Sequence, residues 1–283
     1  MTESSKEWSP PREDREDTVS IVSASALHGL FDLPGPAPEF DDPLPPLWHW
    51  LAFLPTAPQR DLGTDGHPRT GSFLPRSPLP RRMFAGARFE YLASVAVGEI
   101  MHRRSEVTAV TKKEGRSGDL LFVEVTHLLY TGNRLAIREI QNLVYRNAEQ
   151  SGTTSASSNG IVERDWEWRK DFSTDPAMLF RFCALTYNAH RIHYDRTYAT
   201  ETEGYPGLVV PGPLLAIALS RLGADQIGDQ PLRTFEFRAT NAIFDGDLVQ
   251  LRGRRSGEDS IELAAFDGSA RLSMTATATA EKW

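Results

Sequence analysis

A run of small polar residues from 147 to 160 divides this chain and limits what it can fold into. The run reads Asn-Ala-Glu-Gln-Ser-Gly-Thr-Thr-Ser-Ala-Ser-Ser-Asn-Gly and holds no large apolar side chain. It has nothing to bury, so a linker is expected there. Before it, Phe84 to Tyr91, Ile100 to Lys113, Leu120 to Tyr130 and Arg134 to Arg146 alternate or are rich in β-formers, which predicts four strands. Glycine-bearing turns at Val97-Gly98-Glu99, Gly115 to Asp119 and Tyr130 to Asn133 separate them. After it, strands are expected near Ile161 to Arg169 and over Leu232 to Ala239, Leu248 to Ser256, Ile261 to Phe266 and Ala270 to Glu281. The expected class is α+β, with two tandem domains, each an antiparallel sheet wrapped around a helix. The boundaries are a flexible tail at 1–17, a first domain at 18–146, the linker at 147–160 and a second domain at 161–283.

The helices follow from apolar spacing. Val19, Val22, Ala26, Leu27 and Leu30 share one side of a helix from Thr18, which the prolines from Pro34 stop. Pro45 to Leu54 is aromatic and proline-bounded, and predicts one or two buried helical turns; His49 within it is expected to bond a backbone carbonyl. Residues 62 to 83 are rich in Gly and Pro yet interleaved with Phe, Leu and Met. An ordered loop over a binding cleft is the expectation. Leu214 to Leu222 is apolar nearly all round, so it is the candidate central helix.

At 283 residues the chain has room for two domains. Its net charge of −7 argues against a nucleic-acid backbone as partner. No apolar stretch is long enough to cross a membrane, and the first residues lack the apolar core of a signal peptide. The single cysteine, Cys183, suits a reducing compartment, and the cytoplasm is expected. An exposed edge strand on each domain would allow a homodimer.

Chemistry is densest between Thr186 and Asp195, Thr-Tyr-Asn-Ala-His-Arg-Ile-His-Tyr-Asp. Thr174 or Asp175 can cap a short helix that delivers this loop, with Pro176 in its first turn. His193 titrates near neutrality and suits proton transfer. His190 is either a second acid/base group or a fastener of the loop. Asn188 cannot act as a base, but it can hold water or substrate. Asp195 either orients an imidazole or caps a turn. His190 and His193 lie at i, i+3 without a third ligand, so no metal is expected. Cys183 lies on the apolar helix, where an inert thiol is expected. In Pro211-Gly212-Pro213 only Gly212 carries an N–H, at the start of the central helix. That is either an anion site or a local requirement of the turn.

The stretch from Thr186 resembles the signature of the MaoC-like hydratases, Ser/Thr-Gly-Asp-x-Asn-Pro-Ile-His-x-Asp. Thr186, Ile192-His193 and Asp195 match it, while Asn188 stands where the family has its catalytic Asp, and His190-Arg191 replaces Asn-Pro. The form found here is similar to a subgroup containing the type 2 hydroxyacyl-thioester dehydratases and the mesaconyl-C4-CoA and itaconyl-CoA hydratases. The resemblance implies a double hot-dog fold whose first domain is degenerate. It also implies reversible hydration of an enoyl thioester, with His193 as the catalytic histidine and the Gly212 N–H in an oxyanion hole. Asn188 would then position the water while His193 moves the proton. CoA enters as part of the substrate, and no other cofactor is expected; no Rossmann or P-loop glycine motif is present.

A branched dicarboxylic acyl group would call for arginine. Arg82 and Arg88, near the family-like Pro-Leu-Pro-Arg-Arg-Met stretch, and Arg191 are the candidates together with Asp195, with Arg82 or Arg191 expected to face the ligand. Two other readings stand beside this one: a fatty-acid 3-hydroxyacyl-thioester dehydratase, and an acyl-CoA-binding protein without catalysis.

Overall fold

The computed structural model describes residues 11–115, 118–147, 165–228 and 230–280. Ten strands in these segments form one antiparallel sheet. In chain order they are β1 (Glu13–Thr18), β2 (Arg81–Tyr91), β3 (Ile100–Gly115), β4 (Gly118–Thr131), β5 (Arg134–Arg146), β6 (Trp168–Ser173), β7 (Leu232–Ala239), β8 (Leu248–Arg255), β9 (Ser260–Phe266) and β10 (Leu272–Ala280). The order across the sheet is β1-β3-β4-β5-β2-β7-β10-β9-β8-β6. Each half of the chain thus contributes one continuous block of five strands, and β2 meets β7 at the joint.

Alternation explains the strands. In β4 every second residue turns inward, from Leu121 through Val123 and Val125 to Leu129. The second half folds its strands against α3 (Gly212–Ile227). Leu214, Leu215, Ile217, Leu219 and Leu222 of that helix are buried, as its all-round apolar pattern requires. The first half has no helix of that length among the described residues. That half carries α1 (Ile21–Leu30) and a single 3-10 turn at Trp48–Leu51, which pack on each other. This is the expected double hot dog, with a shorter helix in its first half.

Three expectations need correction. The supposed tail over 1–17 is ordered from Glu13, where β1 pairs with β3 in the register Asp14↔Arg104 and Glu16↔His102. Acidic side chains meet basic ones across the pair, and the Asp17 carboxylate accepts the Phe53 N–H at 2.7 Å. Charge therefore marks a partner here rather than solvation. The strand expected near Ile161 to Arg169 falls partly outside the described residues; among those described, a strand starts at Trp168 and runs to Ser173. The linker expected at 147–160 lies, apart from Asn147, outside the described residues. His49 is buried, but its partner is the Glu139 carboxylate at 3.2 Å and not a carbonyl.

Candidate active site

The helix that delivers the signature loop, α2 (Pro176–Leu185), is capped by Asp175, whose carboxylate accepts the Met178 N–H at 2.7 Å. It buries Leu179, Phe182 and Cys183. Burial pushes the Cys183 thiol up to about 12, so it is an inert core group. Thr186 ends the helix by donating its hydroxyl to the Phe182 carbonyl at 2.8 Å. Tyr187 then turns through a left-handed conformation (φ 48°). The Asn188 N–H returns to the Cys183 carbonyl at 2.8 Å, and the Asn188 Oδ1 accepts the His190 N–H at 3.1 Å. The carboxamide oxygen is thereby engaged in the loop, and its NH2 is the group with donors to offer.

His193 is buried on the short 3-10 turn that follows. Its Nδ1 lies 2.7 Å from the Val209 carbonyl oxygen. A carbonyl only accepts, so Nδ1 carries the proton and Nε2 carries the lone pair. Burial pushes its pKa down to about 4, against the pull of that carbonyl. His190 lies beside it at a ring-centre distance of 5.2 Å, and burial with neighbouring positive charge pushes its pKa far below the usual imidazole range. Gly212 opens α3, where the first N–H groups have no partner within the helix. Gly212, His193, His190, Asn188 and Arg82 all line one cavity of about 1810 Å³.

Three expected binding residues do not line that cavity. Arg191 bonds the Asp195 carboxylate through Nε at 3.0 Å and Nη2 at 2.8 Å, and its guanidinium lies over the Tyr198 ring. Asp195 also accepts the Tyr198 N–H at 3.0 Å. The two hold the signature loop to the segment after it, and neither touches an imidazole. Arg88 sits on the outer face of β2, exposed and opposite Glu236 of β7, because its neighbours Ala87 and Phe89 take the inner face.

The structure also brings groups to the cavity that the sequence did not mark. Asp65 and His67, from the glycine-rich loop, lie on its wall, so the loop does cover a cleft. The His67 ring lies tilted against the His190 ring, with their centres 3.9 Å apart. Ligating atoms of Asp65, His67 and His190 fall within 4.8 Å of one another, a grouping that the pair at 190 and 193 did not suggest. At another part of the wall, Glu139 is buried and accepts from Trp50 at 2.8 Å and Gln141 at 2.7 Å, with His49 at 3.2 Å. Their signal was a lone Glu among alternating apolar residues of β5, visible only once its partners 89 and 90 positions away are known.

Arg82 also lines this cavity. Its charge lowers the pKa values of His67, His190 and Asp65. Among the described residues it forms no ion pair, whereas its neighbour Arg81 is paired with Glu203 at 2.9 Å.

The model of the hydroxyacyl-thioester dehydratase type 2 family matches residues 47–245. A mesaconyl-C(4)-CoA hydratase from Chloroflexus aurantiacus is 43% identical over 272 residues, 95% of each chain. The chain belongs to the hydroxyacyl-thioester dehydratase type 2 family. It is a MaoC-like hydratase/dehydratase, a carbon–oxygen lyase by class. A mitochondrial type 2 hydroxyacyl-thioester dehydratase from Schizosaccharomyces pombe is 28% identical, covering 71% of this chain and 74% of its own. Among solved structures, a MaoC-like dehydratase from Phytophthora capsici matches with a TM-score of 0.70 at 15% identity, over 97% of both chains. A Mycobacterium tuberculosis protein described as having a double hot-dog fold matches at 0.58 and 13% identity, over 97% of this chain and 96% of its own. These two likenesses carry the fold. The family match covers the signature loop, the start of α3 and the loop bearing Asp65 and His67.

Proposed function

We propose that this family member hydrates a branched dicarboxylic enoyl-CoA, of the mesaconyl-C4 or itaconyl kind, with CoA as carrier and no further cofactor. The observation that carries this substrate class is Arg82. A guanidinium on the cavity wall, which makes no ion pair among the described residues, bears its charge on the imidazoles. A free substrate carboxylate would complete it. The high identity to a mesaconyl-C(4)-CoA hydratase over nearly the whole of both chains points the same way.

The residues divide the reaction as follows. The Gly212 N–H, at the positive end of α3, meets the negative charge that develops on the thioester oxygen as water adds. The Asn188 NH2 donates to the incoming water and fixes its place. His193, with Nε2 unprotonated, moves the proton between the acyl group and its surroundings. Charged and polar groups on the far wall, Glu139 and Gln141 among them, do not suit a long alkyl chain.

The test is a comparison of substrates in Arg82→Gln. Loss of an ion pair in a desolvated site should lower kcat/KM for mesaconyl-C4-CoA by about 30-fold or more. Turnover of crotonyl-CoA, which has no second carboxylate, should stay near the wild-type value. Equal loss on both would remove Arg82 from substrate recognition. A wild-type preference for linear acyl groups would favour the fatty-acid dehydratase reading, which the family description also supports.

A further inference from the structure

The glycine-rich loop is built into the signature loop rather than laid over it. Leu62 and Pro68 form a bridge, and the Gly63 N–H donates to the His67 carbonyl at 2.7 Å. The Arg191 N–H donates to the Asp65 carbonyl at 2.9 Å, and the Arg191 guanidinium reaches the Thr64 carbonyl at 3.0 Å. Gly66 packs so closely on Ala189 that a Cβ would run into its carbonyl oxygen. The loop therefore holds Asp65 and His67 in a fixed relation to Asn188, His190 and His193.

Both oxygens of Asp65 serve one residue. Oδ1 accepts the His67 N–H at 3.0 Å, and Oδ2 lies 2.9 Å from the ring Nδ1. Burial raises the Asp65 carboxyl pKa, but the hydrogen bonds and charge of His67, with Arg82, lower it further, and the carboxylate stays ionised. An ionised carboxylate only accepts, so Nδ1 carries the proton and Nε2 the lone pair. Burial and Arg82 together hold the His67 ring neutral against the opposing pull of Asp65. An oriented neutral imidazole backed by a carboxylate is the arrangement of a general base. The positive charge of Arg82 disfavours the other use of such a group, which is to hold a cation.

We propose that Asp65–His67 is a second proton-transfer group of this site, doing for water what a carboxylate at position 188 would do. The inference rests on the hydration reading above. As water adds, one O–H bond breaks and its proton goes to His67 Nε2. The water oxygen bonds to the β-carbon, and the electron pair of the double bond moves to the thioester oxygen at Gly212. The enolate then re-forms the carbonyl as its α-carbon takes a proton that His193 Nε2, unprotonated at rest, has picked up from solvent. His67 releases its proton to solvent and His193 is neutral again, so the net change is the addition of one water.

Two activities of one protein separate these roles. The first is hydration of mesaconyl-C4-CoA. The second is wash-in of deuterium at the α-carbon of the hydroxyacyl product in D2O, which needs His193 but not removal of the hydroxyl. In His67→Gln, hydration should fall about 10²–10⁴-fold while wash-in persists. Asp65→Asn, which lets the side chain donate to Nδ1 and selects the wrong tautomer, should do the same with less disturbance of the loop. His193→Ala should lose both. If either loop variant hydrates at the wild-type rate, or if both activities fall together in a folded protein, the assignment is overturned. A wild-type protein that hydrates none of the enoyl thioesters would instead refute the hydration reading itself.

Discussion

At the scale of single residues, His193 is held where a proton can be moved. Its Nδ1 is fixed by the Val209 carbonyl and its Nε2 is left basic. His193→Ala leaves the buried Val209 carbonyl without its donor, a cost of about 1–3 kcal/mol, which a chain of this size should survive folded. Turnover should fall by at least about 10²-fold, and a near-normal rate in a steady-state assay would contradict the role. The patterns that single out His193, Asn188 and Gly212 are local in the sequence, and the structure brings all three to one cavity. Arg191 and Asp195 belong to the same pattern, but they pair with each other at i, i+4 instead of lining the cavity, and Asp195 takes the turn-capping alternative by accepting the Tyr198 N–H. Asp65 and His67 carry no such local pattern, because what places them is a contact with His190 more than 120 positions along the chain.

At the scale of elements, the alternating strands could be read almost to the residue, since period two shows directly in β4. β1 could not, because its partners are charges on β3. The loop expected over residues 62–83 does line a cleft, but the placing of Asp65 and His67 on its wall is not legible in its composition. Gly66→Ala should force it off Ala189, and a displacement of that kind costs about 10²-fold in kcat. Near-normal kcat would show that the loop position is not needed.

The buried polar groups give a pH dependence of stability. Burial pushes His127 down to about 4 and likewise His193. Burial would raise the Glu139 carboxyl pKa, but its bonds to His49 and the charges of His49 and His127, with the Gln141 bond, take it down to about 2. The unfolded chain takes up protons at these histidines below its own value near 6.5, while the folded protein refuses them until about 4. Stability is therefore full above about pH 6.5 and falls as the pH drops towards 4, with Glu139 adding to the loss below about 4.5. Each histidine accounts for on the order of 3 kcal/mol at most, and a chain of this size loses about 3 °C in Tm per kcal/mol. Thermal melts between pH 7 and 4 check this, and His127→Gln should flatten the upper part of the slope. A Tm that holds or rises between pH 6.5 and 5 would contradict it.

At the scale of the whole molecule, the two halves act as one because β2 and β7 join their sheets. Gly86 stands opposite Arg238 at that joint, and a Cβ there would run into the Phe237 carbonyl oxygen. Gly86→Ala should cost about 2 kcal/mol or more, seen in urea unfolding; an unchanged midpoint would mean the joint can give way. No helix among the described residues is long and apolar enough to cross a membrane. The repetition of helix and strands showed two domains in the sequence, but the continuous sheet was invisible there, since pairing of β2 with β7 spans the chain. The joint also explains the site, in which His193 and Gly212 come from one half and Arg82, Asp65 and His67 from the other.

The most direct measurement is the loss of conjugated-thioester absorbance when the purified protein meets mesaconyl-C4-CoA, set beside itaconyl-CoA and crotonyl-CoA. Fast turnover of a branched dicarboxylic ester, with crotonyl-CoA much slower, is the expected result. Tight binding of all three esters without turnover would mean that this cavity holds acyl-CoA and performs no chemistry on it.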